Sequence, residues 1–244
     1  MKQSQNNRVA LITGGSRGIG LEIVKKFKES GWSVAACATQ KSHLKNSPAD
    51  LPFVCDVSKL SDVKKGIAQT LKIFKRIDVL INNAGYSTNN PMDPDSSDEL
   101  WHRIIQVNLD GTYYFCKYAG HHLPAKTGRI INIASTLAMI GVPDAIAYCA
   151  AKHGVLGLTR ALAKYFAPRQ INVNAICPGW VRTDMALSRF KEIGISEAIA
   201  KKTIPLGRLA EPNEIADFAY YLATSKGASM TTGQAITIDG GTLS

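Results

Sequence analysis

Residues 9–20 read VALITGGSRGIG and place a short apolar run directly before a cluster of glycines. The pattern predicts a β-strand, a glycine turn and a helix over residues 21–30. Glycines permit the turn and a close backbone approach, and the free amides of a helix N-terminus attract a pyrophosphate. A P-loop is excluded because no Lys-Ser or Lys-Thr pair follows Gly20. The turn therefore favours a dinucleotide.

Short apolar runs alternate with helical patterns along all 244 residues, without a linker, a long repeat or a low-complexity tract. Strands are predicted at 8–13, 33–38, 53–55, 77–82, 129–134, 171–176 and 234–238. Most of these runs are rich in Val, Ile and Ala, which indicates strands that helices cover on both faces. We expect an α/β fold with a single domain, 1–244, built as a Rossmann-like, doubly wound parallel sheet.

A hydroxyl, a phenol and an ammonium group follow one another in the second half of the chain. Tyr148 and Lys152 are four residues apart in the segment AYCAAKHGVLGLTRALAKYF, residues 147–166, which reads as a helix that ends before Pro168. One face of that helix carries both side chains, and Ser135 precedes them by a short loop. This trio suits proton donation to a carbonyl oxygen as hydride arrives at carbon. A Ser-Lys hydrolase is the alternative, and the nucleotide turn and the tyrosine disfavour it.

Seven motifs in this order resemble the short-chain dehydrogenase/reductase family over about residues 9–241. They are Thr13 to Gly20, Asp56-Val57, Asn82-Asn83-Ala84-Gly85, Asn108, Ser135, Tyr148 with Lys152, and Pro178-Gly179 followed by Val181-Arg182-Thr183. Each motif alone is common by chance, and a lone tyrosine, asparagine or glycine turn is usually structural. The ordered set is what carries the resemblance.

The resemblance implies a catalytic set of Asn108, Ser135, Tyr148 and Lys152. Tyr148 would be the acid in reduction and the base in oxidation, while Ser135 would donate a hydrogen bond to the substrate oxygen. Lys152 would hold the nicotinamide ribose, and its ammonium, together with the positive nicotinamide of the oxidised cofactor, would lower the pKa of Tyr148 toward working pH. Asn108 would position a water that refills the proton on Lys152. Cofactor contacts are then expected at Gly14, Ser16, Arg17, Gly18, Ile19, Gly20, Thr39, Lys41, Asp56, Val57, Asn83, Ala84, Gly85, Tyr148, Lys152, Pro178, Gly179, Val181 and Thr183.

The choice between NADP(H) and NAD(H) depends on the end of the second strand, where an acidic residue would bind the ribose hydroxyls of NAD. No Asp or Glu occurs between Trp32 and Ala49, whereas Arg17 and Lys41 could pair with a 2′-phosphate. NADP(H) is therefore favoured, and NAD(H) stays possible. Residues 41–52 contain two prolines and are too short for a regular crossover helix, so we expect an open adenosine pocket.

Among members of the family, the chain is most similar to bacterial 3-oxoacyl-acyl-carrier-protein reductases, which implies an acyl thioester substrate and a role in fatty acid biosynthesis. Lys126 and Arg169 stand where those enzymes carry carrier-docking residues. Trp180, Leu137, Met139 and Ile140 would suit many hydrophobic ketones or alcohols. A general carbonyl reductase, a sugar or alcohol dehydrogenase and a noncatalytic NADP-binding regulator stay open as alternatives. Selectivity is expected from residues 87–97, 136–146 and 180–204, with residues 184–205 forming a lid.

Composition and charge limit the kinds of partner that the chain can bind and the cellular compartment that it fits. The net charge of +10 arises from lysines on polar helix faces without interleaved aromatics, which argues against nucleic acid and favours acidic ligands. No apolar stretch approaches membrane-spanning length, and the polar residues 1–7 do not read as a secretion signal. Five cysteines without metal-ligand spacing fit a cytoplasmic protein with no metal. The resemblance implies a homotetramer that packs through residues 98–121, 148–166 and 212–241, whose apolar side chains exceed one sheet-facing stripe.

Overall fold

Seven strands and eight α-helices alternate in the computed structural model, which describes residues 8–90, 92, 94–95 and 97–244. The strands are β1 Val9–Thr13, β2 Ser33–Ala38, β3 Leu51–Val54, β4 Val79–Asn82, β5 Arg129–Ile133, β6 Asn172–Pro178 and β7 Ala235–Ile238. The helices are α1 Gly18–Glu29, α2 Leu60–Phe74, α3 Asp98–Ile105, α4 Gly111–Gly120, α5 Ile146–Phe166, α6 Asp184–Glu192, α7 Glu197–Lys202 and α8 Pro212–Thr224. The predicted tyrosine helix is α5, and it begins one residue earlier than expected.

All strand pairs are parallel, and the strands lie in the order β3-β2-β1-β4-β5-β6-β7. The carboxyl ends of all seven strands therefore meet at one edge. The order reverses between β1 and β4, and in such sheets the crevice at the reversal is where ligands bind. The predicted Rossmann-like sheet is confirmed, and its topology fixes where the site must lie.

Two hydrophobic layers cover the sheet, because adjacent residues of a strand point to opposite faces. Leu11 of β1 packs with Phe115 of α4 and Phe166 of α5. Its neighbour Ile12 packs on the other side with α1 and α8. Both faces are thus buried by helices, which explains why most strand residues are apolar.

The third strand begins two residues before its predicted start and includes Pro52. A proline is tolerated here because β3 lies at the edge of the sheet. The connection from β2 to β3 contains only a single 3₁₀ turn, Lys41–Leu44, so the prediction that no regular crossover helix fits is confirmed.

The described residues bear on membrane insertion and metal binding. None of the described helices is both long and apolar enough to cross a membrane. No group of three or more His, Cys, Asp or Glu in that part of the chain could hold a metal ion. All five cysteines are buried and free.

Candidate active site

A cleft of about 620 Å³ opens at the carboxyl edge of the sheet, between the glycine turn after β1 and the first turns of α5. Its volume lies within the range of about 300–1,000 Å³ that is usual for small-molecule sites. Nearly all the side chains singled out from the sequence line it, together with the loops after β4, β5 and β6. The fold therefore brings residues more than 100 positions apart in the chain to one site.

The glycine turn leaves no room for side chains. Gly14 and Gly18 have positive φ of 67° and 52°. A Cβ on Gly20 would lie 2.1 Å from the carbonyl oxygen of Gly14, so only glycine lets the helix begin this close to the strand. Asn83 braces the turn from β4, because its Nδ2 donates to the carbonyl oxygens of Thr13 and Gly14, each at 3.1 Å.

The N-terminus of α1 fits an anionic group. Arg17 precedes the helix without making a side-chain cap, and the first turn contains no acidic residue. The helix dipole and the uncapped amides thus face the cleft without competition from a protein carboxylate. Arg17 itself is exposed at the rim of the cleft. These features suit the pyrophosphate of a dinucleotide.

Tyr148 and Lys152 lie one turn apart on α5, and both line the cleft. The Nζ atom of Lys152 is 5.4 Å from the centroid of the Tyr148 ring and donates to the carbonyl oxygen of Ile133 at 2.8 Å. Ser135 follows the end of β5, and its Oγ accepts the amide of Leu137 at 3.1 Å. While that oxygen accepts a hydrogen bond from the backbone, its own O–H can donate to Tyr148 or to a ligand.

Burial dominates the electrostatics of the pair. It raises the pKa of Tyr148 to about 12, although a hydrogen bond with Ser135 acts in the opposite direction. It also lowers the pKa of Lys152 to about 8, against a smaller effect of Cys177 that raises it. Burial therefore outweighs the lysine in the ligand-free chain, and the expectation that Lys152 and a bound oxidised nicotinamide together bring the tyrosine toward working pH stays a prediction. The low dielectric outweighs an ammonium that is itself only partly charged near pH 8.

Asn108 lies beneath the cleft instead of lining it. It sits in a π-helical segment, residues 106–110, between α3 and α4, and is fully buried. Its Nδ2 donates to the carbonyl oxygens of Tyr86 at 2.7 Å and Ile104 at 2.9 Å, and its Oδ1 accepts the Tyr86 amide at 3.3 Å. The side chain therefore anchors the loop after β4. Its direct role in proton relay stays a prediction that these contacts do not favour.

The adenosine end differs in one residue from the sequence-based expectation. Thr39, Asp56 and Val57 line the cleft, as does His43, whereas Lys41 does not. Lys41 and His43 are two positions apart in a 3₁₀ turn, where each residue rotates by about 120°, so they cannot point the same way. Lys41 was expected here because its side chain is a cation, but nothing in the sequence fixes the orientation of the turn.

Arg103 is a second cleft residue that the sequence analysis did not single out. Its Nη1 lies 3.1 Å from the carboxylate of Asp56 and 2.7 Å from the hydroxyl of Ser58. Burial alone would raise the pKa of Asp56, but hydrogen bonds from Ser58 and Arg103 hold it below its ordinary value. Asp56 is thus kept ionised and fixed. No local motif could have shown that α3 supplies this partner.

The loop after β6 closes the nicotinamide end. Pro178, Gly179, Val181 and Thr183 all line the cleft. The Gly179 amide donates to the carbonyl oxygen of Ile238 on β7 at 3.0 Å, and Thr183 Oγ1 caps α6 by accepting the Ala186 amide at 3.3 Å. This backbone is therefore held from both sides.

The remaining wall is largely apolar. Its apolar side chains are Tyr86, Leu137, Ile140, Val142, Trp180, Met185 and Ile193, and the charged side chains of Asp144, Asp184 and Arg189 also line it. Trp180 is held against Phe190 of α6, with ring centroids 4.7 Å apart. Met139, which was expected here with its neighbours, does not line the cleft and is 38% exposed. Of the other predicted selectivity segments, Pro91, Asp93 and Ser96 lie outside the described residues.

Lys126 and Arg169 lie far from this wall. They precede β5 and β6, whose amino ends are at the edge of the sheet opposite to the cleft. Five residues of strand span about 17 Å. The Lys126 amide donates to the carbonyl oxygen of Arg169 at 2.8 Å, and the Arg169 guanidinium donates to the carbonyl oxygen of Leu123. These two residues therefore do not line the cleft, and their role in carrier docking stays a prediction.

Comparison with known proteins agrees with this geometry. A family model described as "Enoyl-(Acyl carrier protein) reductase" matches residues 14–242. The chain belongs to the short-chain dehydrogenase/reductase family and is an oxidoreductase.

Its relatives within that family include ketoacyl reductases. The putative ketoacyl reductase of Streptomyces coelicolor is 37% identical over 98% of each chain. The 3-oxoacyl-[acyl-carrier-protein] reductase of Chlamydia pneumoniae is 38% identical over 95% of each chain. A crystal structure of an actinorhodin polyketide ketoreductase variant with NADPH superimposes with a TM-score of 0.89, at 34% identity over 98% of each chain.

Proposed function

We propose that the cleft binds NADP(H) and reduces the keto group of a 3-oxoacyl thioester, carried by coenzyme A or by an acyl-carrier protein, to a secondary alcohol. The observation that carries the proposal is the juxtaposition of Tyr148, Lys152 and Ser135 with an apolar wall at the end of a dinucleotide-type cleft. The nicotinamide, when bound, supplies the hydride. The names of the ketoacyl reductases among the relatives point to the same substrate class.

Tyr148 is the proton donor in this account. With a pKa of about 12, its phenol stays protonated at ordinary pH, which is the state that an acid needs for reduction. Ser135, whose hydroxyl is hydrogen-bonded to Tyr148 in the ligand-free chain, donates its O–H to the same substrate oxygen and stabilises the developing negative charge. Lys152 holds the ribose hydroxyls and stands next to the tyrosine ring, so its ammonium favours the phenolate that proton transfer leaves behind.

The preference for NADP(H) rests on charge at the adenosine end. Arg17 and His43 line the cleft there, and the turn between β2 and β3 offers no carboxylate to the ribose. Asp56 is already paired with Arg103, so it does not repel a 2′-phosphate as a free carboxylate would. The actinorhodin ketoreductase, similar over the whole chain, was crystallised with NADPH.

The substrate side of the cleft favours an acyl chain. Leu137, Ile140 and Val142 form an apolar surface opposite the nicotinamide loop. An alkyl or polyketide chain gains about 25 cal/mol for each Å² of apolar surface that it buries there. Lys126 and Arg169 do not line the cleft, so the acyl-binding wall does not depend on them and coenzyme A thioesters should also serve as substrates.

A homotetramer remains part of the proposal. Trp101 and Tyr113 are 36% and 42% exposed on the helices where an interface is expected, and Tyr165 of α5 is 62% exposed. Phe115, Leu156 and Phe166, by contrast, are buried within the subunit, so the apolar excess is smaller than the sequence indicated. Sedimentation at micromolar concentration tests the assembly, since a fully active species of 26.4 kDa would exclude it.

The decisive assay is NADPH oxidation with a panel of carbonyl compounds. Acetoacetyl-coenzyme A and an acetoacetyl-carrier protein are expected to turn over, whereas hexoses, steroids and quinones are expected to react at least about tenfold more slowly in kcat/KM. Faster turnover of a sugar would assign the cleft to a sugar dehydrogenase instead. Cofactor binding without turnover of any compound would favour a regulator.

A further inference from the structure

Arg189 of α6 is a charged residue at the wall of the cleft that the proposed reaction does not use. Only 9% of its side chain is exposed, although arginines are rarely buried unless they are paired. It lies in the segment 184–205 that the sequence indicated as a lid, and α6 forms the first half of that segment. Its partners therefore show what holds this segment in place.

The guanidinium of Arg189 joins α6 to the loop that precedes the catalytic helix. Its Nη2 donates to the Asp144 carboxylate, and to the Asp144 carbonyl oxygen at 3.2 Å. Its Nη1 donates at 2.9 Å to Glu192, one turn further along α6. Asp144 lies only four residues before Tyr148.

Glu192 extends the contact to the loop after β4. Its carboxylate accepts the Asn89 amide at 3.0 Å and the Thr88 hydroxyl at 3.3 Å. The neighbouring Asn90 completes a circuit, because its amide donates to the carbonyl oxygen of Asp144 at 2.9 Å. The Asn90 Oδ1 also accepts the Ala147 amide at 3.3 Å, in the first turn of α5.

The ends of α6 are built differently from its middle. At its start, Thr183 caps the helix and packs against the glycine turn, where a Cβ on Gly18 would lie 3.1 Å from the Thr183 methyl carbon. After its end, Gly194 has a φ of 70°, and a Cβ placed there would meet no atom within 4 Å. An open glycine in the left-handed region is a suitable hinge. The polar contacts of Arg189 and Glu192 lie between the capped start and this glycine.

An anion site for substrate is the competing interpretation of a buried arginine in a cleft. The donors of Arg189 are directed at two carboxylates and a carbonyl oxygen, and the three charged groups together carry a net charge of −1. A further anion would be repelled. The contacts of Arg189 therefore join parts of this chain to one another and do not form a site for a substrate anion.

We propose that Arg189, with Asp144 and Glu192, is a latch that keeps α6 closed over the cleft and ties it to the start of the catalytic helix. Passage of cofactor and substrate then requires these ion pairs to separate. Arg189 is a positioning residue in this scheme, since it acts through the helix and the loops that it joins.

Hydrogen exchange of the ligand-free protein, followed by mass spectrometry, tests the latch directly. Arg189→Met keeps much of the side-chain length without the charge, and Glu192→Gln removes the second partner's charge at constant shape. Both are expected to speed amide exchange in residues 184–192 by about tenfold, because closed and open states then differ less in free energy. Arg189→Lys should restore part of the protection. Lys201→Gln is the matched control, since it removes an ion pair with Glu197 inside α7 that does not cross the cleft.

NADPH dissociation, measured by stopped-flow fluorescence, gives a second readout. The two latch variants should release the cofactor about tenfold faster, with the control unchanged. This arm rests on the proposed cofactor: failure of the wild-type chain to bind NADPH would remove the cofactor assignment, and the exchange experiment would still decide on the latch. Exchange in residues 184–192 that is the same in Glu192→Gln, Arg189→Met and the wild type would overturn the latch.

Discussion

The two ends of the cleft are built in different ways. At the nicotinamide end, Tyr148 and Lys152 project from a helix of 21 residues, and Lys152 is 3% exposed. At the adenosine end, Thr39 and His43 are exposed, and they are carried by a strand end and a 3₁₀ turn of four residues. The first end is rigid and desolvated, so its groups have strongly shifted pKa values. The second is open, so its charges act through solvent.

This difference implies a division of labour. Desolvated groups that are fixed on a long helix can change the energy of a transition state by several kcal/mol. Exposed charges on a short turn contribute less, because water and salt screen them. We therefore expect the nicotinamide end to determine whether the reaction occurs, and the adenosine end to determine which cofactor is preferred.

The largest effect is expected from Tyr148→Phe, which removes the proton donor and leaves the ring. Turnover should fall by at least about 100-fold, the usual scale of general acid catalysis, with little change in NADPH affinity. Steady-state NADPH oxidation and cofactor fluorescence measure the two quantities. Tyr165→Phe is the control, because this tyrosine lies on the same helix and is 62% exposed. Near-normal turnover of Tyr148→Phe would remove the residue from the mechanism.

Lys152→Met should lower the activity of the enzyme and raise its stability. The variant is expected to lose turnover and to bind the cofactor more weakly, because one ammonium group has both tasks. Burial lowers the pKa of Lys152 to about 8, so a charged lysine at pH 7 costs stability. The loss of the hydrogen bond to Ile133 offsets part of the gain, and the free energy of unfolding should rise by about 2 kcal/mol at pH 7. Urea unfolding measures it, and a less stable variant would contradict the burial argument.

The same group predicts a pH dependence of stability. Between a folded-state pKa of about 8 and the ordinary value of 10.5, the unfolded chain holds a proton on Lys152 that the folded chain does not. The free energy of unfolding of the wild type should therefore rise with pH through this window. Lys152→Met lacks the effect, so the difference in stability between the two proteins should shrink from pH 7 to pH 10. A constant difference would show that the lysine is not desolvated.

Substitutions at the adenosine end should have smaller, cofactor-specific effects. Arg17→Ala is expected to raise the Kd for NADPH by about tenfold and His43→Ala by about threefold, since the first removes a solvent-exposed charge and the second a solvent-exposed hydrogen-bonding ring at the expected position of the 2′-phosphate. The Kd for NADH should stay nearly unchanged in both. Lys41→Ala is the matched control from the same turn and should change neither value. Equal losses with both cofactors would contradict the assignment, and a large effect of Lys41→Ala would restore the sequence-based expectation.

The comparison also explains which features could be predicted from the sequence. The i, i+4 spacing of Tyr148 and Lys152 defines one helix face, so their meeting with Ser135 needed only the order of strands and helices. The orientation of the 3₁₀ turn that chooses His43 over Lys41 has no comparable periodic signal.

Two other features depend on tertiary contacts. A π-helical segment directs Asn108 toward backbone groups, and nothing in its sequence marks it as such. Arg189 meets Asp144 across 45 residues of chain, and Arg103 meets Asp56 across 47. Such pairs cannot be predicted from the sequence, because they depend on how the loops at the carboxyl edge of the sheet pack in the folded chain.

A double-variant cycle with Tyr148→Phe and Arg17→Ala tests the division of labour most directly. The two residues lie at opposite ends of the cleft and share no partner, so their losses in kcat/KM for NADPH should multiply. With about 100-fold and about tenfold losses for the single variants, the double variant should lose about 1,000-fold. A double variant that loses no more than Tyr148→Phe alone would show that the two ends act as one unit, and would contradict the account.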